Sequence, residues 1–135
     1  MSKFQTRWLE LEDYPELCSW WKAFRFPAPK QAMLPDNGKC GVMVSKDGVN
    51  VCAGFLYFTN SSFALCEYVV SNFEYKNKDR KEALEMLYEE IEQIAKEEGF
   101  SLLFSTVKNQ HLINKMNDFG WNEGGSTREM IKIIY

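Results

Sequence analysis

The sequence predicts one α/β (α+β) domain spanning residues 1–135, built on a single mixed sheet. Three observations carry that expectation. The apolar pattern orders the elements as β-α-loop-β-β-β-α-β-α-β. Short turn signals, Ser45-Lys46-Asp47-Gly48 and Asn60-Ser61-Ser62, join three consecutive strands, and Asp-Gly is a strong hairpin signal. A long amphipathic helix then leads into Ser101–Val107, a run too apolar to face water on either side. Such a run reads as a central strand paired parallel to its predecessor.

Phe4–Leu11 alternates loosely and predicts the first strand. Asp13, with Pro15 in the first turn and Glu16 three residues on, predicts a capped helix carrying Leu17, Trp20, Trp21 and Phe24 at helical spacing. That helix must end before Phe26-Pro27-Ala28-Pro29, because proline disfavours helical backbone in the residue before it. Residues 26–39 read as a loop with one short helix. Strands are expected at Cys40–Val44, Val49–Phe58 and Phe63–Val70. A helix over Arg80–Glu98 places Leu84, Leu87, Tyr88, Ile91, Ile94 and Ala95 on one stripe, and Gly99 stops it. A last helix over Gln110–Phe119 stops at Gly120, and Thr127–Ile134 reads as the closing strand.

Composition excludes several classes of function. The chain is large enough for a real core. A formal charge of −3 offers no basic footprint, so nucleic-acid binding is not expected. Cys18, Cys40, Cys52 and Cys66 are widely spaced, with no CxxC, and there is a single histidine, so no metal site is expected. Buried free thiols and the absence of a signal peptide or membrane-length apolar run predict a cytoplasmic protein without membrane partners. Neither Ser61, Ser62 nor any cysteine has a partner base at meaningful spacing, so nucleophilic catalysis has no support.

The segment Tyr75-Lys-Asn-Lys-Asp-Arg-Lys-Glu-Ala-Leu84 runs from a strand into a helix, an arrangement whose free backbone N–H groups hold phosphate. It lacks glycine, which phosphate-cradling loops use for close approach. Lys76, Lys78, Arg80 and Lys81 place four cations in six residues beside the helix start. Asp79 followed by Glu82 also reads as an ordinary capping box, and the lysines as a solvated surface. In the strand before it, alternation places Phe63, Leu65, Glu67 and Val69 on one face and Ala64, Cys66, Tyr68 and Val70 on the other. A carboxylate among such residues is costly to bury unpaired, which marks Glu67 as a site candidate; pairing with a lysine at the sheet margin is the structural alternative.

Two segments carry a family resemblance. Glu67-Tyr-Val-Val-Ser-Asn-Phe-Glu-Tyr-Lys-Asn-Lys-Asp-Arg-Lys-Glu-Ala-Leu84 resembles the fourth strand, pyrophosphate loop and following helix of the GCN5-related N-acetyltransferase (GNAT) superfamily. Asn109 through Gly120-Trp121 is similar to that family's Asn…Tyr…Gly-Phe segment. The resemblance covers essentially the whole chain. It implies a mostly antiparallel central sheet with helices on both faces, and a parallel pair of strands, the fourth and fifth, that splay apart. It also implies acetyl-CoA as cofactor and direct acetyl transfer to a small-molecule or peptide amine. On that reading Glu67 is the catalytic base. Cofactor contacts fall to Val69, Val70 and Ser71 at the splay, Lys76, Lys78, Asp79, Arg80 and Lys81 in the loop, and Asn109. The acceptor lies over Trp20, Trp21, Phe24, Arg25 and Phe26.

The departures define an alternative. Where the family pattern is Arg/Gln-x-x-Gly-x-Gly/Ala, this chain has Lys76, then Asp79 and Lys81 at the glycine positions. Side chains there crowd a diphosphate, and the Asp79 carboxylate repels it. The position of the family's acidic tyrosine holds Met116, which donates no proton, and nothing places Tyr75 or Tyr88 at the sulfur. The alternative is a catalytically inactive GNAT-fold binding or regulatory module. A relative using aminoacyl-tRNA is a third reading, opposed by the net acidity. His111 reads as a surface or capping residue, and Asn109 suits a helix cap as well as a CoA contact. The apolar Met130, Ile131, Ile133 and Ile134 make the closing strand an edge that invites pairing, hence a homodimer.

Overall fold

The computed structural model describes residues 3–135. Five strands, β1 (Phe4–Trp8), β2 (Gly41–Lys46), β3 (Val49–Phe58), β4 (Phe63–Ser71) and β5 (Leu102–Phe104), lie in the order β1-β2-β3-β4-β5. The first four pair antiparallel, and β4–β5 is parallel. Helix α1 (Tyr14–Ala23) follows β1, α2 (Arg80–Glu97) follows β4, and α3 (Gln110–Asp118) follows β5. The sheet is mixed and open, as the sequence predicts. Among the described residues, no helix is long and apolar enough to cross a membrane.

Strand alternation divides the core in two. On one face Leu17, Trp20 and Trp21 of α1 pack with Met43, Ala53, Phe55 and Val70. On the other, Leu84, Leu87, Tyr88 and Ile91 of α2 pack with Val42, Val44, Cys52, Leu56 and Cys66, joined by Met116 of α3. Helices thus cover both faces, and the adjacent tryptophans both enter the α1 cluster, each 2% exposed. All four cysteines are free thiols. Burial pushes the Cys52 and Cys66 thiols up to about 12 and the Cys40 thiol up to about 11. Cys18 alone is not buried, so an aromatic disulfide reagent at pH 8 is expected to label one thiol rapidly. All four should react after denaturation.

Several boundaries differ from the sequence expectation. The first strand stops at Trp8, because residues 11–13 turn in a 3₁₀ helix whose Glu10 and Asp13 form the capping box. Asp13 precedes α1 but does not cap it with its side chain. Its carboxylate instead accepts two hydrogen bonds from the Arg7 guanidinium, both 2.9 Å, and one from the Glu10 N–H at 2.8 Å. The Arg7 contacts hold Asp13 below the usual carboxylate range. A depressed folded-state pKa contributes stability above the unfolded value near ~3.9, lost as pH falls through the lower folded value. Asp13→Ala is expected to cost about 1–2 kcal/mol at pH 7, kept modest because the Arg7 side chain is 40% exposed. Urea titrations at pH 7 and pH 3 should show the cost shrinking in acid.

The run Ser101–Val107 does not form a central strand. β5 keeps three residues and is an edge of the sheet, with Leu102 58% and Phe104 50% exposed. The closing strand over Thr127–Ile134 does not form either: residues 121–135 carry no regular structure. Met130 is 89%, Ile131 79%, Ile133 68% and Ile134 91% exposed.

Candidate active site

The site begins with an irregularity in β4. Pairing with β3 runs Phe55↔Glu67 and then Ala53↔Val70, so two residues, Tyr68 and Val69, face the single Gly54. This is a β-bulge, and Tyr68 occupies the left-handed region at φ 57°, costly for a residue with a bulky side chain. Gly54 fits because a Cβ there would meet the Val69 side chain at 3.0 Å and Ile91 at 3.3 Å.

The bulge corrects the simple alternation expected of β4. Glu67 pairs with Phe55 and so shares the α1 face with Tyr68 and Val70, while Cys66 and Val69 turn to the α2 face. Above Glu67 the Tyr68 ring meets Trp21 edge-on at 6.4 Å and Phe26 at 6.4 Å. Trp21 is fully packed, with its indole N–H lacking a hydrogen-bond partner. Phe24 and Phe26 are 57% and 48% exposed, and Arg25 sits between them at φ 56°. Of the expected acceptor residues, Phe26 therefore lines the same face as Glu67 at the surface, and Trp21 lies beneath. Burial, with Glu129 and Glu67 nearby, raises the Tyr68 phenol above its ordinary value.

Beside the bulge, β4 and β5 part. Their pairing covers only Phe63↔Leu102, Ala64↔Leu103 and Leu65↔Phe104. Beyond it, side chains replace the ladder. The Ser105 hydroxyl donates to the Cys66 carbonyl at 2.6 Å. Glu67 accepts from the Thr106 N–H at 2.8 Å and from the Thr106 hydroxyl at 2.6 Å. A carboxylate has about four lone-pair sites, so these bonds fix its position without exhausting its acceptors. The alternative of a lysine partner is not seen: no ion pair to Glu67 forms among the described residues. On the same side, the Asn72 N–H donates to Val51 of β3 at 2.8 Å. Alternation then turns the Ser71 N–H to the opposite edge, which β5 has left open.

The loop before α2 resolves the question of its carboxylate. Asp79 makes no side-chain cap, so the expected capping box with Glu82 does not form. It pairs instead with Lys46 of β2 and accepts from the Tyr75 hydroxyl at 2.7 Å. Lys46, and then Tyr75, hold Asp79 below its usual range, and Asp79 raises Lys46 in turn. The carboxylate is thus neutralised by a neighbour and drawn off the helix terminus. First-turn N–H groups of a helix have no intrahelical partner; the Asp79 side chain does not cap those of α2, and the Arg80 N–H donates to the Asn77 carbonyl at 3.4 Å. Lys76, Lys78, Arg80 and Lys81 surround that terminus. The Lys81 ammonium also pairs with Asp118 at the end of α3, 2.7 Å away, an exposed contact. An open groove of about 400 Å³ lies here between α2 and α3, lined partly by Lys78, Lys81, Asp118 and Phe119.

The remaining candidates have structural duties. Asn109 caps α3, its side-chain oxygen accepting from the Leu112 N–H at 3.2 Å. Met116 is buried in the α2-face core. The Tyr75 hydroxyl is committed to Asp79, and the Tyr88 hydroxyl is buried without a partner between α2 and the rings of Phe119 and Trp121. Lys46, Tyr68, Ser105 and Thr106 are the participants that sequence reasoning missed. Ser105 and Thr106 carried the one available signal, two hydroxyl residues interrupting an apolar strand.

No protein-family model matches this chain, and no curated protein does. Solved structures do match. An aminoglycoside acetyltransferase from an uncultured soil metagenomic sample superposes with a TM-score of 0.69 at 12% identity, over 98% of this chain and 97% of that one. The ribosomal-protein-S18-alanine N-acetyltransferase of Escherichia coli gives 0.72 at 16% identity, over 90% of this chain and 79% of that one. N-acetylglutamate synthase from Neisseria gonorrhoeae, complexed with coenzyme A and N-acetyl-glutamate, gives 0.70 at 14% identity, over 87% of this chain and 28% of that longer one. The chain has the fold of the GNAT acetyltransferases.

Proposed function

We propose that this chain is an acetyl-CoA-dependent N-acetyltransferase of the GNAT superfamily, acting on a small-molecule or peptide amine by direct transfer. The observation that carries the reading is the conjunction at the parting of β4 and β5. A fixed carboxylate, an open strand edge and an aromatic face lie there together, next to a helix terminus that the Asp79 side chain does not cap. The structural neighbours named for their acceptors act on aminoglycosides and on a ribosomal-protein alanine, both amines.

The loop fits a diphosphate. The cations of Lys76, Lys78, Arg80 and Lys81 and the α2 N–H groups would hold it, and Lys46 removes the repulsion that Asp79 would otherwise exert. Acetyl-CoA, when bound, supplies an acetyl group activated as a thioester. A strand N–H near Val69–Ser71 would be placed to stabilise the oxygen on which charge develops. Glu67, held by Thr106, takes the proton from the attacking amine. The aromatic face of Tyr68 and Phe26 positions the acceptor, so that orientation supplies much of the acceleration. Free thiols support a reducing, cytoplasmic setting.

A second reading, a binding module without catalysis, is favoured by Met116 in the core and by the engagement of both Glu67 oxygens. Calorimetric titration with acetyl-CoA and free CoA tests both. Micromolar binding followed by turnover in an amine screen is expected. Binding without turnover selects the second reading, and no binding at millimolar concentration overturns the cofactor assignment. Replacing Lys76 and Lys78 by glutamate is expected to weaken CoA binding at least tenfold, an effect that should shrink in high salt.

A further inference from the structure

Among the described residues, two buried side-chain donors have no hydrogen-bond partner, the Trp21 indole N–H and the Tyr88 hydroxyl. A stranded buried hydroxyl costs its desolvation, and phenylalanine would fill the same space without that cost. Tyr88 is 3% exposed, and its ring is pinned by Phe119 at 6.0 Å and by Trp121, edge-on, at 5.7 Å. Those contacts account for the ring but give the hydroxyl nothing to bind.

The position of Tyr88 gives the hydroxyl a use. It packs on the α2 face in one cluster with Cys52 of β3 and Cys66 of β4. Cys66 is the first β4 residue beyond the stretch paired with β5, and its carbonyl takes the Ser105 hydroxyl in place of a strand N–H. Glu67, the next residue, lies on the opposite, α1 face. Tyr88 and Glu67 thus flank the parting of β4 and β5 from its two sides. Tyr88 also lies about 12 Å along α2 from the cations at its N-terminus, at ~1.5 Å per residue. A chain reaching from a diphosphate at that terminus to the parting runs along this stretch of the helix.

We propose that the Tyr88 hydroxyl donates a hydrogen bond to the sulfur of CoA and stabilises the thiolate as it departs, an inference that rests on the acetyl-transfer reading above. The amine nitrogen bonds to the thioester carbonyl carbon, and its proton passes to Glu67. The carbon–sulfur bond then breaks and its electron pair stays on sulfur. Solvent afterwards protonates the thiolate and takes the proton from Glu67. Tyr88 itself transfers no proton. Burial, and then Cys66, Cys52 and Glu67, raise its phenol above the ordinary value, so it remains a donor throughout. This role differs from proton donation by the family tyrosine, whose position holds the buried Met116. It needs only a donor that the core has left free.

Titrating the thiol of free CoA bound to the full chain tests the proposal without any acceptor. Thiolate formation is followed by ultraviolet difference absorbance between the protein with and without saturating CoA. The chain's own groups facing Tyr88 are Cys52, Cys66 and Glu67 beneath it and Glu85, Glu89 and Glu92 along α2, and the difference cancels them. In Tyr88→Phe the bound thiol is expected to ionise about one pH unit higher than in the wild-type chain. That is the roughly tenfold effect of losing one hydrogen bond to a charged group. Thermal stability should be unchanged or raised, because the stranded hydroxyl is gone. Equal ionisation in the two chains, or a variant that loses stability, would overturn the proposal while leaving the acetyl-transfer reading intact. A wild-type chain that binds no CoA at millimolar concentration overturns both.

Discussion

Replacing Glu67 by glutamine is expected to lower kcat/KM for an amine acceptor by about 10²–10⁴-fold, the usual contribution of a positioned base. CoA affinity and thermal stability should change little. The amide is isosteric with the carboxylate, and its oxygen can still accept from the Thr106 N–H. The Thr106 hydroxyl can rotate to accept from the new NH₂ group, so the brace between β4 and β5 survives. What disappears is the proton acceptor. Thr106→Val separates the two roles, since it removes one hydrogen bond to Glu67 but leaves the charge. That variant should cost about 1 kcal/mol of stability and less than tenfold in turnover. Steady-state kinetics on both variants decide the matter. Unchanged turnover in Glu67→Gln removes the carboxylate from the mechanism and leaves it as a structural tie across the splay.

The second large effect is expected at Gly41, where β2 begins. A Cβ at this position would lie 2.4 Å from the Gly54 carbonyl oxygen, 2.7 Å from Leu9 and 3.0 Å from Phe55. The first contact is with backbone, which a side-chain rotation cannot relieve. Gly54 is also the residue opposite the β4 bulge, so any shift of β3 is transmitted to Tyr68 and Glu67. Gly41→Ala is expected to destabilise the fold by about 3 kcal/mol, the upper range of overpacking, and to lower Tm by roughly 10 °C. Calorimetry checks the shift. A change below about 1 kcal/mol would mean that the β2–β3 pair slides apart freely, and the bulge is then not held as described.

Much of the architecture is legible in the sequence because it depends on local patterns. The stripe on Arg80–Glu97 and the stop at Gly99 define α2 within one residue of expectation. The Asp47-Gly48 turn fixes the β2–β3 hairpin, and Val49–Phe58 is recovered in full. The bulge is not legible, since a bulge of this kind is signalled by glycine and here a tyrosine holds the left-handed conformation. Nor is the loss of the Asp79 cap. Local spacing with Glu82 satisfies the capping pattern, but Lys46 approaches from a strand 33 residues away and outcompetes the backbone for the carboxylate. Ser101–Val107 misleads for a related reason. Its apolar residues suggest burial, yet among the described residues β5 ends the sheet and pairs on one side only.

The sequence alone determined the order of elements, the helix stripes, the hairpin, the cluster of cations before α2 and the single carboxylate in β4. Each follows from residues within a few positions of one another. Only the tertiary structure decided that Glu67 is held by Thr106, 39 residues away, and that the Asp79 charge is taken up by Lys46. It also decided that β4 and β5 part after three paired residues. Those outcomes depend on which distant donor reaches a carboxylate first. Side-chain reach and strand register decide that, and neither is written in the local pattern.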